Sequence, residues 1–297
     1  MFFQYYRIMT YIGRFAPSPS GPLHFGSLVA AVGSYLRARS QAGQWLVRIE
    51  DLDPPREQPG AASGILRTLE RYGLFWDGPV IYQSQRHARY QAILDDLYQQ
   101  GKTYHCHCTR AQIHSSGGFY AGTCREQHYP AEGAAVRLRV DTPTLSFNDQ
   151  LLGLIEVEPR LASEDFILKR RDGLFAYNLA VVIDDADSGI TEVVRGADLL
   201  EPTVRQITLY QQLGWKVPDW LHLPLALQNN GLKLSKQNHT PALGDSAISQ
   251  TLCQALSFLG QQPPAELIGA APALLLDWGC SHWQPNKIPT QAQIQPI

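Results

Sequence analysis

Residues 12–27 read I-G-R-F-A-P-S-P-S-G-P-L-H-F-G-S, and no other stretch of the 297-residue chain restricts its fold as much. Before it, Tyr11, Ile12 and Phe15 carry the β-branched and aromatic character of a short buried strand. After it, Leu28, Val32, Tyr35 and Leu36 recur at i, i+4, i+7 and i+8, which predicts a helix with one apolar stripe and with Arg37 and Arg39 near its far end. Pro17, Pro19 and Pro22 make the connector rigid, while Gly21 and Gly26 permit tight turns and close approach to the backbone. A strand-to-helix corner of this kind is an anion site, because the first helix amides lack internal partners and carry the positive end of the helix dipole. His24 stands at its mouth, able to donate a hydrogen bond to a phosphate oxygen; the plainer reading is a helix cap.

The run Q-W-L-V-R-I-E-D-L-D, residues 44–53, reads as a second strand with Glu50 at its carboxyl end, where open α/β sheets place ligand-binding residues. Helices are expected around Ile65–Tyr72 and over residues 86–100. With 44% hydrophobic residues the chain can bury a sizeable core. A net charge of −2 excludes a global basic field, so any RNA contact must be a local patch and sensitive to salt. No stretch approaches eighteen apolar residues and no leader pattern is visible, which predicts a cytoplasmic protein with no membrane segment.

Three of the five cysteines, Cys106, Cys108 and Cys124, fall within nineteen residues, a thiolate density that favours tetrahedral zinc over a disulfide framework. By chemistry alone the fourth ligand is His105, His107, His114 or His128. Two β-rich pieces in residues 133–168, with turns at Thr142-Pro143 and Asn148-Asp149, look like an insertion between two halves of a main sheet. The run E-D-F-I-L-K-R-R-D-G is expected to return to that sheet through a hairpin with a basic tip. Beyond a short helix starting near Tyr177, Val181–Ile183 together with Val193 and Val194 have the texture of buried strands, and Asp184, Asp185 and Asp187 read as capping and turn residues. Pro202 and Gly214 bracket another helix, and Ala247–Leu259 a further one, before a tail, I-P-T-Q-A-Q-I-Q-P-I, that reads as extended. Between them, Lys233, Ser235 and Lys236 sit in a Gly-punctuated loop suited to closing on a triphosphate.

The order P-S-P-S-G-P-L-H-x-G resembles the first signature of class I aminoacyl-tRNA synthetases in the form carried by glutamyl-tRNA synthetases, with Ser27 where the wider class often has a second His. R-I-E-D-L-D-P-P-R, the segment from Tyr177 to Gly196, and K-L-S-K followed by Gln237 resemble further motifs of that family in the same order, so the likeness covers roughly residues 10–245. It implies an α/β fold: a class I synthetase Rossmann-like parallel sheet with halves at residues 9–103 and 169–232, a zinc-bearing insertion at 104–168, and the K-L-S-K loop with a short C-terminal helical region at 233–297. It implies that Arg14, Phe15, Ala16, Pro17, Ser18, Glu50, Tyr177 and Arg195 hold L-glutamate, with Glu50 on its amino group and Arg195 as a bidentate carboxylate clamp.

ATP, with Mg²⁺ as counter-ion, falls to His24, Gly26, Ser27, Lys233, Ser235 and Lys236, of which His24 and Lys236 meet the reacting phosphates. The likeness also makes Tyr120 the fourth zinc ligand, as in the short, truncated relatives. For those relatives the implied chemistry is activation of glutamate as the adenylate and its transfer to queuosine at the wobble position of tRNA(Asp), with no obligate protein partner. The rival readings are 3′-end charging of tRNA, a nucleotidyltransferase for another small acid, and a non-catalytic RNA-binding relative.

Overall fold

The structure is a computed structural model and describes residues 10–115, 117–227, 241–244 and 246–294. β1 (Ile12–Phe15) runs through the proline corner into α1 (Phe25–Ser40), and β2 (Gln44–Ile49) returns parallel to β1 in the register Ile12↔Gln44 to Phe15↔Val47. After α2 (Ala61–Arg71), β3 (Ile81–Tyr82) pairs in parallel on the outer side of β2, and α3 (His87–Gln99) follows. Much later, α6 (Tyr177–Asp187) leads into β9 (Glu192–Gly196), and α7 (Leu200–Leu213) connects β9 to its parallel partner β10 (Asp219–Leu223). β9 lies on the free side of β1, tied by Thr191 N–H to the Ile12 carbonyl at 2.9 Å and by Ile12 N–H to Thr191 Oγ1 at 3.0 Å. The chain therefore leaves β1 toward β2 and comes back on the other flank at β9. Such a reversal opens a crevice at the carboxyl ends of the two strands, the place where open parallel sheets bind ligands.

Between the halves stand β4 (Thr103–Cys106), α4 (Arg110–Ser115), β5 (Ala135–Leu138), the hairpin of β6 (Ser146–Asp149) and β7 (Gly153–Glu156), α5 (Pro159–Ala162) and β8 (Ile167–Lys169). β4, β5 and β8 make a three-stranded antiparallel sheet. The chain closes with β11 (Leu225–Ala226), α8 (Ile248–Phe258), α9 (Pro272–Ser281) and β12 (Gln293–Ile294).

Apolar patterning explains the packing. The stripe of α1 is buried to the last atom at Val32 and Leu36 and joins Trp45, Val47 and Ile49 of β2 with Leu252, Leu256 and Leu275 of α8 and α9 in one core. The Trp45 indole N–H, deep in that core, donates to Ser34 Oγ at 3.0 Å, so its burial leaves no unpaired donor. A second core joins α3, α6 and α7 to Phe147 and Val157 of the insertion.

Three expectations are corrected. Val181–Ile183 belong to α6; everything from Leu179 to Asp185 is buried, so the run's apolar texture reports enclosure, which periodicity alone cannot separate from a buried strand. Asn148 and Asp149 end β6, and the reversal falls at Gln150–Leu152 because Asp149 Oδ1 accepts the amides of Leu151 and Leu152, each at 2.9 Å. β8 joins the antiparallel sheet and not the parallel one, although the expected hairpin forms through the Lys169↔Phe175 bridge. The tail is extended as expected at Gln293 and Ile294, which pair in parallel with Leu225 and Ala226.

Gly260 ends α8 at φ +70°, and a Cβ there would sit 2.0 Å from the Lys287 carbonyl oxygen. Gly153 has a similar φ, +76°, with open space around it. Gly260→Ala is therefore expected to lower stability by about 3 kcal/mol or more and Gly153→Ala by only about 1 kcal/mol. Urea melts of the two variants check this; equal losses would contradict the packing described.

Candidate active site

The carboxyl ends of β1, β2 and β9 converge on a buried ionic cluster. Asp185, enclosed in α6, receives Arg14 Nε of β1 at 3.1 Å and Arg48 Nη1 of β2 at 2.6 Å on the same oxygen. Arg48 also reaches Glu50 Oε1 at 3.2 Å through Nη2. Its neighbour Asp184 accepts from Gln83 Nε2 at 2.7 Å, Arg86 Nε at 2.5 Å and the Tyr90 hydroxyl. Burial pushes the Asp185 carboxyl up, but Arg14 and Arg48 outweigh it and hold Asp185 below the usual carboxylate range. Burial dominates at Glu50 instead and raises its pKa despite Arg48 and Arg14. Glu50 N–H donates to the Pro17 carbonyl at 3.0 Å, which fastens the end of β2 to the proline corner.

Arg195, on β9, is 6% exposed and differs from every arginine above. Its Nε–H donates to His222 Nε2 at 3.1 Å, Nη2 to Thr203 Oγ1 at 2.7 Å and the Leu199 carbonyl at 3.2 Å, and Nη1 to Gln206 Oε1 at 2.9 Å. The remaining Nη1 contact, to the Tyr177 hydroxyl, is long at 3.5 Å. All these partners are uncharged, and no carboxylate among the described residues pairs with Arg195. Burial lowers its pKa, although a guanidinium remains charged at any physiological pH. Tyr177, at the start of α6, keeps 38% of its surface exposed, so this contact lies at the exposed margin of the Arg195 surroundings. The bidentate clamp expected of Arg195 is correspondingly narrowed, since Nε and Nη2 are occupied by His222, Thr203 and Leu199.

At the proline corner, His24 is the N-cap of α1. Its Nδ1 accepts the Ser27 amide at 3.3 Å, and the Ser27 hydroxyl accepts the His24 amide at 3.5 Å. The plainer reading of His24 thus holds, and it serves the functional one, because an accepting Nδ1 puts the proton of the neutral ring on Nε2. The Ser27 amide is taken by that cap. Gly26 lies in the first turn of α1 and forms no separate turn. His24, Gly26 and Ser27 line a cavity of about 170 Å³ with Gly196, Asp198, Leu223 and Ala226. A Cβ on Gly196 would stand 2.7 Å from Asp198 Oδ1 and 3.0 Å from Leu225 Cδ2, so a larger residue in this wall would have to displace those side chains.

Lys233, Ser235, Lys236 and Gln237 lie outside the described residues. The described residues flanking them meet the cavity: Ala226 lines it, and Ala242 bridges to His24 while Leu243 N–H donates to the Leu23 carbonyl at 2.8 Å. Phe15 is turned away from the crevice into the core, stacked on Trp45, so only its backbone faces the corner. Ala16, Pro17 and Ser18 are partly or fully accessible beside it.

Cys106, Cys108 and Cys124 bring their sulfurs within 4.8 Å of one another, with Cys108 and Cys124 at 3.5 Å, a cluster that could hold a metal ion. Burial pushes the Cys124 thiol up, but hydrogen bonds from Tyr120, the His107 backbone and the other two thiols outweigh it and bring Cys124 down to about 7. None of the four candidate histidines joins this group. His105 Nδ1 bonds the Tyr129 carbonyl at 2.9 Å and the His107 ring packs edge-on against Tyr129. Tyr120 does reach the cluster: it is 5% exposed and its hydroxyl accepts the Cys124 amide at 2.8 Å.

The chain belongs to the family of class I tRNA synthetases (E and Q), catalytic domain, whose model matches residues 11–251. Within that class it is similar to curated proteins named glutamyl-Q tRNA(Asp) synthetase. It is 63% identical over 286 residues to the glutamyl-Q tRNA(Asp) synthetase of Yersinia pestis, covering 96% of this chain and 89% of that protein. To the protein of the same name from Escherichia coli (strain K12) it is 59% identical, covering 95% and 92%. Among solved structures it resembles a glutamate-tRNA synthetase from Elizabethkingia anophelis, with a TM-score of 0.79 at 25% identity over 96% of this chain and 68% of that one.

Several residues of the site are not evident in the sequence. Asp184 and Asp185, read as turn residues, are buried charges within α6, and Arg48 is fully enclosed beside them. A signal existed: two adjacent acids inside an apolar run imply buried cations elsewhere in the chain. His222 and Asp149, both enclosed, carried no motif.

Asp185→Asn leaves Arg14 and Arg48 without their common counter-ion and is expected to cost about 3–5 kcal/mol at pH 7. The contribution of a depressed carboxylate is complete above its unfolded pKa of about 3.9 and is lost as pH falls through the lower folded value. Wild-type stability should therefore drop in that acidic window, and the variant's more weakly; guanidine melts between pH 7 and 3 measure both, and parallel curves would contradict the role given to Asp185.

Proposed function

We propose that this protein activates L-glutamate with ATP and transfers it to queuosine at the wobble position of tRNA(Asp). The observation that carries the reading is Arg195: a buried cation with no carboxylate partner among the described residues, edged by Tyr177 and followed in β9 by Gly196, which lines the cavity of His24. A site with a charge to spare selects a ligand that brings a carboxylate. The Arg14 side supports the second carboxylate, and Glu50, paired with Arg48, supports the amino group. Phe15 to Ser18 would shape the pocket through the backbone at the proline corner.

Adenylation needs no protein nucleophile. A glutamate carboxylate oxygen attacks the α-phosphorus in line, the bond to the bridging oxygen breaks, and pyrophosphate leaves with the electron pair. His24, through Nε2, and the amides of Phe25 and Gly26 would meet developing phosphate charge, with Lys233, Ser235 and Lys236 assigned to the same task from the sequence. Mg²⁺ bound with ATP would supply counter-charge on the triphosphate. In the second step a queuosine ring hydroxyl attacks the mixed-anhydride carbonyl, and AMP departs. The assignment to queuosine rests on the likeness to the relatives of that name. It implies a cytoplasmic enzyme acting on tRNA.

Cys106, Cys108, Cys124 and Tyr120 are proposed to hold zinc. Bonds of about 2.3 Å arranged tetrahedrally separate sulfurs by about 3.8 Å, close to the spacing found, and the Tyr120 hydroxyl, bonded to the Cys124 amide, supplies the fourth ligand in this reading. The ion would fix the loops of residues 104–168, taken as an insertion between the catalytic halves.

Labelled glutamate should be transferred to bulk tRNA from queuosine-making cells and not to tRNA lacking queuosine; equal transfer to both would establish 3′-end charging and overturn the reading. Arg195→Ala should raise the KM for glutamate about 10- to 100-fold, the range of a charged hydrogen bond, and leave that for ATP nearly unchanged in pyrophosphate exchange. Purified protein should carry one zinc per chain, lost together with several degrees of Tm on chelation, and Cys124→Ser should bind none.

A further inference from the structure

Arg195 is oriented by a relay that carries no net charge to its edge. His222, on β10, is 0% exposed and stacks nearly parallel with Trp220, whose indole in turn lies under the Arg195 guanidinium. Its Nδ1 stands 2.7 Å from Asp149 Oδ2, and its Nε2 accepts from Arg195 Nε at 3.1 Å. An accepting Nε2 requires the neutral ring with its proton on Nδ1, donated to Asp149, and a protonated ring would set an N–H against an N–H. Asp149 is locked in turn: Oδ2 also accepts the His222 amide at 3.0 Å, and Oδ1 holds the Leu151 and Leu152 amides.

The geometry has a chemical consequence. A carboxylate placed directly on Arg195 would fix its direction but neutralise it, competing with an incoming carboxylate. An imidazole fixes the direction and leaves the cation uncancelled at contact range, with the balancing charge of Asp149 one ring further off. We propose that His222 and Asp149 are positioning residues of the glutamate site: together they hold the Arg195 guanidinium so that its Nη1 edge beside Tyr177 faces the substrate carboxylate. Asp149 comes from the β6–β7 hairpin of the insertion, which is pinned to β10 by Gln150 N–H on the Trp220 carbonyl at 2.8 Å. The insertion that carries the cysteine cluster thereby supplies part of the amino-acid site. The inference rests on the proposal that Arg195 holds glutamate.

Steady-state pyrophosphate exchange on the full chain tests it with His222→Leu, His222→Gln, Asp149→Asn and Arg195→Ala. His222→Leu removes the acceptor and should raise the KM for glutamate at least tenfold, with kcat and the KM for ATP within about twofold. His222→Gln, whose amide oxygen can accept from Arg195, should recover much of that loss, and Asp149→Asn, which can still accept from Nδ1, should fall between wild type and His222→Leu. If His222→Leu fails to fold, the Gln and Asn variants still decide. Losses of thermal stability with an unchanged KM for glutamate would make the relay purely structural and overturn the proposal. If Arg195→Ala itself leaves that KM unchanged, the reading of the site fails first; a large effect at Arg195 with none at His222 or Asp149 refutes the relay alone.

Discussion

One carboxylate organises the catalytic end of this molecule. Asp185, inside α6, takes Arg14 from β1 and Arg48 from β2 on a single oxygen, and that three-way contact joins a helix of the second half of the chain to two strands of the first. Separating such a cluster would strand buried charge at several kcal/mol for each ion, so the two halves of the parallel sheet and α6 are held in one arrangement. Every other feature of the crevice follows from it. Arg48 is left aimed at Glu50, Glu50 is drawn to the Pro17 carbonyl, and the proline corner is fixed over the end of the sheet.

The same accounting of charge separates Arg195 from Arg14 and Arg48. Those two are compensated within the protein; Arg195 meets only neutral groups at contact distance and gains direction from His222. The proposed glutamate site has use for that asymmetry, since the compensated arginines would build it and the uncompensated one would discriminate. His24 shows a similar division within one side chain. Nδ1 closes the start of α1, and the residue also lines the cavity next to Gly196.

Much of the fold was legible because its signals are local. Proline rigidity, the apolar stripe at Leu28, Val32 and Leu36, and the helix stop at Gly214, which takes φ +68°, each depend on neighbouring residues alone. The cysteine cluster was legible from ligand chemistry and spacing. What failed depends on partners distant in sequence. Val181–Ile183 look like a strand until α6 is seen enclosed on all sides, and Asp185 looks like a turn residue until Arg14, 171 positions away, is placed on it. Of the proposed site, Arg14, Glu50, Tyr177 and Arg195 were named through motif likeness, and the structure brings them to one crevice. His222 and Asp149 were missed because a lone His in L-H-L and an Asp at an apparent turn have no pattern that distinguishes them from ordinary core and loop residues.

What occupies the edge of Arg195 beside Tyr177 decides whether this arginine is kept for a substrate carboxylate. A crystal structure of the protein with a non-hydrolysable glutamyl-adenylate analogue is predicted to place a ligand carboxylate oxygen within about 3 Å of Arg195 Nη1 and beside the Tyr177 hydroxyl, with His222 still on Nε. A ligand bound with Arg195 untouched, or with an acidic side chain of the protein swung onto it, would contradict the claim that this arginine is kept uncompensated for the substrate.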